Sequence, residues 1–170
     1  GNRILARLGR TPLFVSAAVA EKIWPPMFNL YKDGGHYGTH VDAAIMRHPD
    51  LGLTIRSDVS ATLFLSGPDE YDGGELVMET SGGEQAYKLK PGQMIMYPST
   101  TLHRVTPVTK GERVSAVGWC QSYVRDAAQR EILYDLDIAR RGIFEREKKS
   151  RDFDIISRSH ANLLRMWMDG

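Results

Sequence analysis

The chain has 170 residues, of which 42% are hydrophobic and 25% charged, and its formal net charge is +1. This balance is typical of one globular domain with a sizeable core, and it offers no basic excess that would require nucleic acid as a partner. No apolar run is long enough to span a bilayer, no secretory leader is recognisable, and the single cysteine, Cys120, excludes an internal disulfide, so we expect a cytoplasmic protein.

The first segment, residues 1–26, is predicted to be helical. Apolar residues recur over 4–8 and 15–19, with a Gly and Pro break between them, and predict one or two short helices. Two prolines after Trp24 end the segment, because proline cannot continue a helix. The chain begins with Gly1 rather than Met, so we expect the segment to be truncated.

Residues 27–122 change character and predict a β-rich core. Gly, Pro, Asp and Ser separate the short runs, and 71–74 and 110–112 have the composition of hairpin turns. The predicted strands cover 27–31, 39–44, 58–66, 74–79, 85–89, 93–97, 103–107 and 113–121. Short strands at this spacing, without helices between them, favour a sandwich or jelly-roll barrel over a βαβ layout.

Residues 123–170 return to helical periodicity and predict a C-terminal helical extension. Apolar residues fall on one helix face at Ala128, Ile132, Leu136 and Ala139. A second short helix is predicted around residues 163–167, after a charged linker at 145–151. The apolar face is expected to cover the barrel, although it would also suit a homodimer interface or an interaction module.

A metal site is predicted from three side chains in the β-rich core. His40 and Asp42 form a His-x-Asp pair, whose side chains point the same way if they lie on one strand. His103, at the start of a later strand, would complete a two-histidine, one-carboxylate facial triad, which leaves positions on an iron ion open for other ligands. Taken alone, a His-x-Asp pair is more often two hydrogen-bonded interior residues. The other histidines, His36, His48 and His160, are interpreted as non-ligands.

Arg113 is predicted to anchor a dicarboxylate co-substrate. It shares a strand face with Ser115, Val117 and Trp119, which are small or apolar, so the face resembles an inward wall. An arginine on such a wall requires an anionic partner, and its planar fork suits a carboxylate. Trp119 would line the site, although a plain core role fits it equally well. Tyr31 is a candidate hydrogen-bond donor to the co-substrate or substrate.

Several stretches of the chain resemble the bacterial PKHD-type (prolyl/lysyl hydroxylase-type) dioxygenases. The resemblance runs from about residue 25 to residue 167 and is far more specific than the His-x-Asp and His pattern. It is carried by PPMFNLYKDGGHYGTHVDAAI, RSDVSATLFLSGPDEYDGGELVMET, LKPGQMIMYPSTTLHRVTPVTKGERVSAVGWCQSYVRD and NLLRMW.

The resemblance implies a double-stranded β-helix (jelly-roll) core and an Fe(II)- and 2-oxoglutarate-dependent dioxygenase. It implies iron on His40, Asp42 and His103, 2-oxoglutarate on Arg113, O₂ as the oxidant and L-ascorbate as a reductant. The reaction would hydroxylate an unactivated C–H bond, with a prolyl or lysyl residue suggested by the family name, and would release succinate and CO₂. The loop at 43–56 departs from the commoner family sequence, and such loops set substrate choice, so the primary substrate stays open.

Two other functions remain open at this point. One is an oxygenase of the same fold that acts on a small molecule linked to iron uptake, for which Arg47, His48 and Arg56 would suit an anionic substrate. The other is a non-catalytic sensor that binds metal or 2-oxoglutarate. A sensor would release no succinate, and it need not keep open metal positions.

Overall fold

The computed structural model describes residues 1–168 and divides into two compact units. We call residues 1–2 and 23–120 the barrel unit, and residues 3–22 and 121 onward the helical unit. The helices are α1 (Asn2–Leu8), α2 (Pro12–Ala18), α3 (Ala127–Glu147) and α4 (Arg151–Trp167). The strands are β1 (Ala20–Ile23), β2 (Met27–Tyr31), β3 (Tyr37–His40), β4 (Ile45–His48), β5 (Leu53–Arg56), β6 (Val59–Phe64), β7 (Tyr71–Gly73), β8 (Leu76–Thr80), β9 (Gly83–Tyr87), β10 (Met94–Pro98), β11 (His103–Val105), β12 (Val108–Gly111) and β13 (Arg113–Ser122).

Two larger antiparallel sheets form most of the barrel unit, beside the two-stranded pairs β4-β5 and β7-β12. In the first sheet, β13 lies between β2 and β6, and β10 pairs with the other edge of β6. In the second sheet, the strand order is β3-β11-β8-β9. The core cluster draws Phe64 and Tyr97 from the first sheet and Leu76, Met78 and Val105 from the second. The predicted jelly-roll core with a helical C-terminus is confirmed.

The prediction of hairpin turns at 71–74 and 110–112 is wrong. Residues 71–73 and 108–111 form β7 and β12, which pair with each other although they are far apart in sequence. Gly111 has a φ of 73°, and a Cβ atom there would lie 2.1 Å from the carbonyl oxygen of Glu70. Glycine is required at this position because the two backbones approach closely. The composition of residues 110–112, taken alone, is typical of a turn.

Three further segments differ from the sequence prediction. The loop at 43–56 contains a hairpin of β4 and β5, with a 3₁₀ turn at Pro49–Leu51 between them. His48, expected in a loop, is the last residue of β4. The strand expected over 39–44 ends at His40, so Asp42 lies beyond it. The N-terminal segment contains the strand β1 as well as two helices.

The helical unit is organised around α3. Asp126 caps this helix by accepting a hydrogen bond from Gln129 N, and Ser150 caps α4 by accepting one from Phe153 N. The rings of Phe144 and Phe153 pack with their centroids 5.2 Å apart and join α3 to α4. The helix predicted at 163–167 begins earlier, at Arg151, which shortens the linker. Among residues 1–168, no helix is both long and apolar enough to cross a membrane.

Candidate active site

The three predicted metal ligands meet at one end of the second sheet. His103 is the first residue of β11 and pairs directly with His40, the last residue of β3. Asp42 follows β3 by two residues. One ligand atom from each of the three side chains lies within 4.8 Å of the others. A histidine pair and one carboxylate therefore converge on a space of the size that one metal ion occupies.

Backbone carbonyl groups fix the tautomer of both histidines. His40 Nδ1 lies 2.8 Å from the carbonyl oxygen of Gly38, and His103 Nδ1 lies 2.9 Å from that of Thr101. A carbonyl only accepts hydrogen bonds, so each Nδ1 carries the proton and each Nε2 presents a lone pair. The Nε2 atoms lie 3.8 Å and 3.9 Å from the Asp42 carboxylate. Two nitrogens and one carboxylate oxygen are a donor set that fits Fe(II).

The Asp42 carboxylate is held by a polar contact from the first sheet. Ser60 Oγ donates to Asp42 Oδ2 at 2.5 Å, and Ser99 Oγ lies 2.7 Å from Ser60 Oγ. Both serines are buried. Tyr97, the cross-strand partner of Ser60, packs its ring edge-on against His103, with centroids 5.0 Å apart.

Arg113 is a fully buried cation at the start of β13, only 2% exposed. Its Nε donates to the carbonyl oxygen of Gly74 and its Nη1 to Ser115 Oγ, both at 2.8 Å. Burial lowers the pKa of Arg113, and the neighbouring tyrosines oppose this in part. Within residues 1–168, no Asp or Glu side chain pairs with this guanidinium. Burial of a cation without an internal acidic partner is a feature typical of sites that bind an anionic ligand.

Aromatic side chains surround Arg113. The guanidinium carbon lies 5.6 Å from the ring centroid of Tyr31 and 5.4 Å from that of Phe64. Burial raises the pKa of the Tyr31 hydroxyl, with Arg113 acting in the opposite direction. Burial also raises the pKa of Tyr97 far above its ordinary value. Both hydroxyls are protonated near neutral pH, as phenols ordinarily are, and the Tyr97 hydroxyl is hydrogen-bonded to Thr62.

One cavity of about 570 Å³ joins the histidine and aspartate cluster to Arg113. Its wall is mostly apolar and aromatic. The lining residues are Met27, Asn29, Tyr31, Tyr37, His40, Val41, Asp42, Ala43, Met46, Ser60, Ala61, Thr62, Leu76, Tyr97, His103, Val105, Arg113, Val117 and Trp119. A largely apolar cavity with a few convergent polar groups is typical of a small-molecule or cofactor site.

The six predicted site residues (His40, Asp42, His103, Arg113, Tyr31 and Trp119) all line this cavity. The three other histidines do not. His36 is exposed and bonds to Gly34 O, His48 packs on Trp24, and His160 belongs to α4 of the helical unit.

The sequence interpretation missed Ser60, Ser99 and Tyr97. Strand alternation puts Ser60 on the same face of β6 as the buried Thr62, which was a usable signal. Ser99 follows β10 in a turn, and its pairing with Ser60 depends on the β6–β10 register, which no local pattern encodes.

Residues 26–121 match the family model described as the 2OG-Fe(II) oxygenase superfamily, and the chain belongs to that superfamily. Within it, the chain is similar to PKHD-type hydroxylases. It is 52% identical over 169 residues to the one from Teredinibacter turnerae, covering 98% of this chain and 74% of that protein. It is 50% identical over 173 residues to the one from Paraburkholderia phymatum, covering 99% and 74%.

A solved structure gives the same indication. A Pseudomonas putida prolyl-4-hydroxylase superposes with a TM-score of 0.55 at 27% identity, over 71% of this chain and 64% of that chain. The chain is therefore an oxygenase of the hydroxylase type, and its family implies Fe(II), 2-oxoglutarate and O₂. The predictions of family and enzyme class are confirmed, whereas the roles of the individual residues stay predictions.

Proposed function

We propose that His40, Asp42 and His103 hold Fe(II) and that Arg113 holds the far carboxylate of 2-oxoglutarate. The single observation that carries this proposal is the unpaired burial of Arg113 in the cavity that also contains the metal-ligand cluster. An isolated buried charge is expensive, so the fold favours a site at which a carboxylate completes the pair. Iron bound by the cluster would supply the oxidation that inserts oxygen into an unreactive C–H bond.

The remaining residues of the cavity position the reactants and exclude water. Gly74 O and Ser115 Oγ fix the plane of the Arg113 guanidinium, which leaves further N–H groups of its fork for a carboxylate. Tyr31 is proposed to add a hydrogen bond to the same ligand, since it lines the cavity and its ring centroid lies 5.6 Å from the Arg113 guanidinium carbon. Trp119 is proposed to form part of the apolar wall against which the substrate packs.

We propose that the group hydroxylated is uncharged, which favours a prolyl over a lysyl residue. Asp42 is the only acidic residue in the cavity lining among residues 1–168, and it is committed to the metal cluster. Burying a lysyl ammonium without an acidic partner costs several kcal/mol. A cation–π contact with Trp119 or Tyr37 would return only about 0.5–2 kcal/mol. A prolyl ring loses no charge solvation and packs on the same aromatic rings.

The basic side chains Arg47, His48 and Arg56 give weak support to an anionic small molecule as the substrate. Arg56 is engaged by Asp58, with Nε to Oδ1 at 2.7 Å and Nη2 to Oδ2 at 2.9 Å. The ring of His48 packs against Trp24, with centroids 5.6 Å apart. Two of the three basic side chains considered for such a substrate therefore have partners within the protein.

Peptide pairs with identical flanks and a central Pro or Lys test this proposal. The purified protein is incubated with Fe(II), 2-oxoglutarate and air, and succinate and the mass gain of one oxygen atom are measured. We expect product from Pro peptides only. Product from Lys peptides alone would overturn the substrate proposal. Succinate without peptide product would favour a small-molecule substrate, and a metal and 2-oxoglutarate complex that forms no succinate would favour a sensor.

We propose L-ascorbate as the reductant that keeps the iron in its ferrous state, on the basis of the family resemblance. Turnover numbers measured with and without ascorbate test this, and an equal number in both would contradict it. The cytoplasmic location and the homodimer stay predictions. Light scattering coupled to gel filtration decides between monomer and dimer, and exposed apolar side chains of α3 such as Ile138 are the first positions to vary.

A further inference from the structure

Two buried serines support the Asp42 carboxylate from the first sheet. Ser60 is 1% exposed and Ser99 is 3% exposed. Ser60 Oγ lies 2.5 Å from Asp42 Oδ2, and the two serine hydroxyls lie 2.7 Å apart. The three side chains thus form a continuous hydrogen-bonded chain that leads from the barrel interior to the metal-ligand cluster.

The hydrogen bonds from Ser99 to Ser60 to Asp42 have a defined direction. An ionised carboxylate only accepts hydrogen bonds, so Ser60 donates its single hydroxyl proton to Asp42. Ser60 can then only accept from Ser99, and Ser99 must be the donor. Each hydrogen bond in such a series polarises the next, which strengthens the terminal contact with the charged oxygen.

The serines are fixed more firmly than the aspartate that they contact. Ser60 lies in β6 and is paired on both sides, with Tyr97 of β10 and Trp119 of β13. Ser99 is anchored through its backbone N–H, which donates to Asp58 O at 3.1 Å. Asp42, in contrast, lies beyond the end of β3, and its neighbour Val41 is 51% exposed. The orientation of the Asp42 side chain therefore depends on contacts from outside its own strand.

We propose that Ser60 is a positioning residue for the metal-binding carboxylate and that Ser99 orients Ser60. This inference rests on the proposed metal site. By holding Oδ2, Ser60 fixes the carboxylate with Oδ1 at 3.8 Å from His40 Nε2 and Oδ2 at 3.9 Å from His103 Nε2, so that both oxygens face the histidine ligand atoms. Partners that orient a metal ligand in this way typically contribute a factor of about 10 to 100 in metal affinity.

The test is a titration of the metal-free protein with Mn(II), a redox-stable ion that accepts the same nitrogen and carboxylate ligands. We expect Ser60→Ala and the near-isosteric Ser60→Cys to weaken Mn(II) binding roughly 10- to 100-fold, because neither retains a strong donor. Ser99→Ala is expected to weaken binding by a smaller factor. Ser66→Ala serves as the matched control, since Ser66 is also a buried serine but accepts from Val114 N.

Thermal unfolding of the metal-free variants separates positioning from a purely structural role. A structural serine would lower the unfolding temperature and leave the Mn(II) affinity of the folded protein intact. Mn(II) affinity within twofold of wild type in folded Ser60→Ala or Ser60→Cys, or tighter binding, would overturn the inference.

Asp42→Ala distinguishes this failure from a failure of the metal site itself. Loss of Mn(II) binding in Asp42→Ala but not in the Ser60 variants would remove only the positioning role. Retention of Mn(II) binding in Asp42→Ala would overturn the metal-site assignment, and the positioning role with it.

Discussion

Arg113 and Tyr31 are direct partners across the antiparallel pair of β13 and β2, with the guanidinium carbon 5.6 Å from the tyrosine ring centroid. The first residue of one strand and the last residue of the other thus supply a cation and a phenol at the same point of the cavity wall. Because the register of one strand pair sets both groups, substitution of either should affect the same ligand.

Replacement of Arg113 should weaken 2-oxoglutarate binding and leave metal binding unchanged. Removing one partner of a buried charge pair costs about 2–5 kcal/mol, so Arg113→Ala should raise the 2-oxoglutarate requirement roughly 30-fold or more. Arg113→Lys keeps the charge but loses the planar fork and should fall between Ala and wild type. The KM for 2-oxoglutarate and the Mn(II) affinity are the two measurements. An unchanged KM in Arg113→Ala would move the anchor elsewhere.

Tyr31→Phe should have a smaller effect on the same KM. The change removes one hydroxyl and keeps the ring beside Arg113, so the loss is that of a single hydrogen bond to a charged group, about 1.5–3 kcal/mol at most. This predicts a rise in KM of roughly 10- to 150-fold and no change in Mn(II) affinity. A KM equal to that of wild type would show that the hydroxyl does not contact the co-substrate.

The histidines provide a matched pair of variants. His40→Ala should abolish stoichiometric Fe(II) binding and turnover, because it removes one of three protein ligands. His36→Ala should leave both unchanged, since His36 is exposed and its Nδ1 bonds only to Gly34 O within the described chain. Iron content after anaerobic loading is measured in both proteins, and retained stoichiometry in His40→Ala would contradict the assignment.

Gly74→Ala should destabilise the protein and weaken 2-oxoglutarate binding. Gly74 has a φ of 67°, and a Cβ atom there would lie 2.9 Å from both Tyr71 Cε2 and Val108 Cγ2 and 3.0 Å from Arg113 Cδ. Backbone strain and overpacking together predict a loss of about 2 kcal/mol or more in the free energy of unfolding. Urea unfolding measures this, with Gly82→Ala as the control, because only Thr80 Oγ1 lies near a Cβ atom there, at 3.7 Å.

Asp137 should make the helical unit sensitive to acid. Burial acts to raise the pKa of this carboxyl, but the Ser16 hydroxyl together with Arg140 and Arg141, which lie at 2.5 Å and 2.7 Å, outweighs it and holds the pKa below its ordinary value. The ionised Asp137 carboxylate therefore contributes its full share to the free energy of unfolding above the unfolded-state pKa of about 3.9. This contribution is lost as the pH falls through the lower folded-state pKa.

Asp137→Asn tests this pH dependence. It should reduce the free energy of unfolding at pH 7 by about 1–3 kcal/mol, between the values for exposed and buried ion pairs, and flatten its fall at low pH. Urea titrations at several pH values measure both effects. If the free energy of unfolding of the variant fell at low pH as steeply as that of wild type, other carboxyl groups would control acid unfolding.

Most strands of the fold were predictable from local sequence, whereas β7 and β12 were not. The bounds of β2 agree with the predicted strand at 27–31, and β13 extends the predicted strand at 113–121 by one residue. In contrast, β7 and β12 are rich in glycine and polar residues, and they exist only because each pairs with the other across the chain.

The amino-acid sequence by itself determined the two-residue spacing of His40 and Asp42 and the strand face shared by Arg113 and Trp119. Alternation along one strand needs no knowledge of the neighbouring strands. Only the tertiary structure decided that Arg113 is buried without an acidic partner and that both histidines present Nε2. It also decided that two serines support Asp42. These facts depend on which distant residues the sheet register brings together, and register is a property of the assembled strands rather than of any one of them.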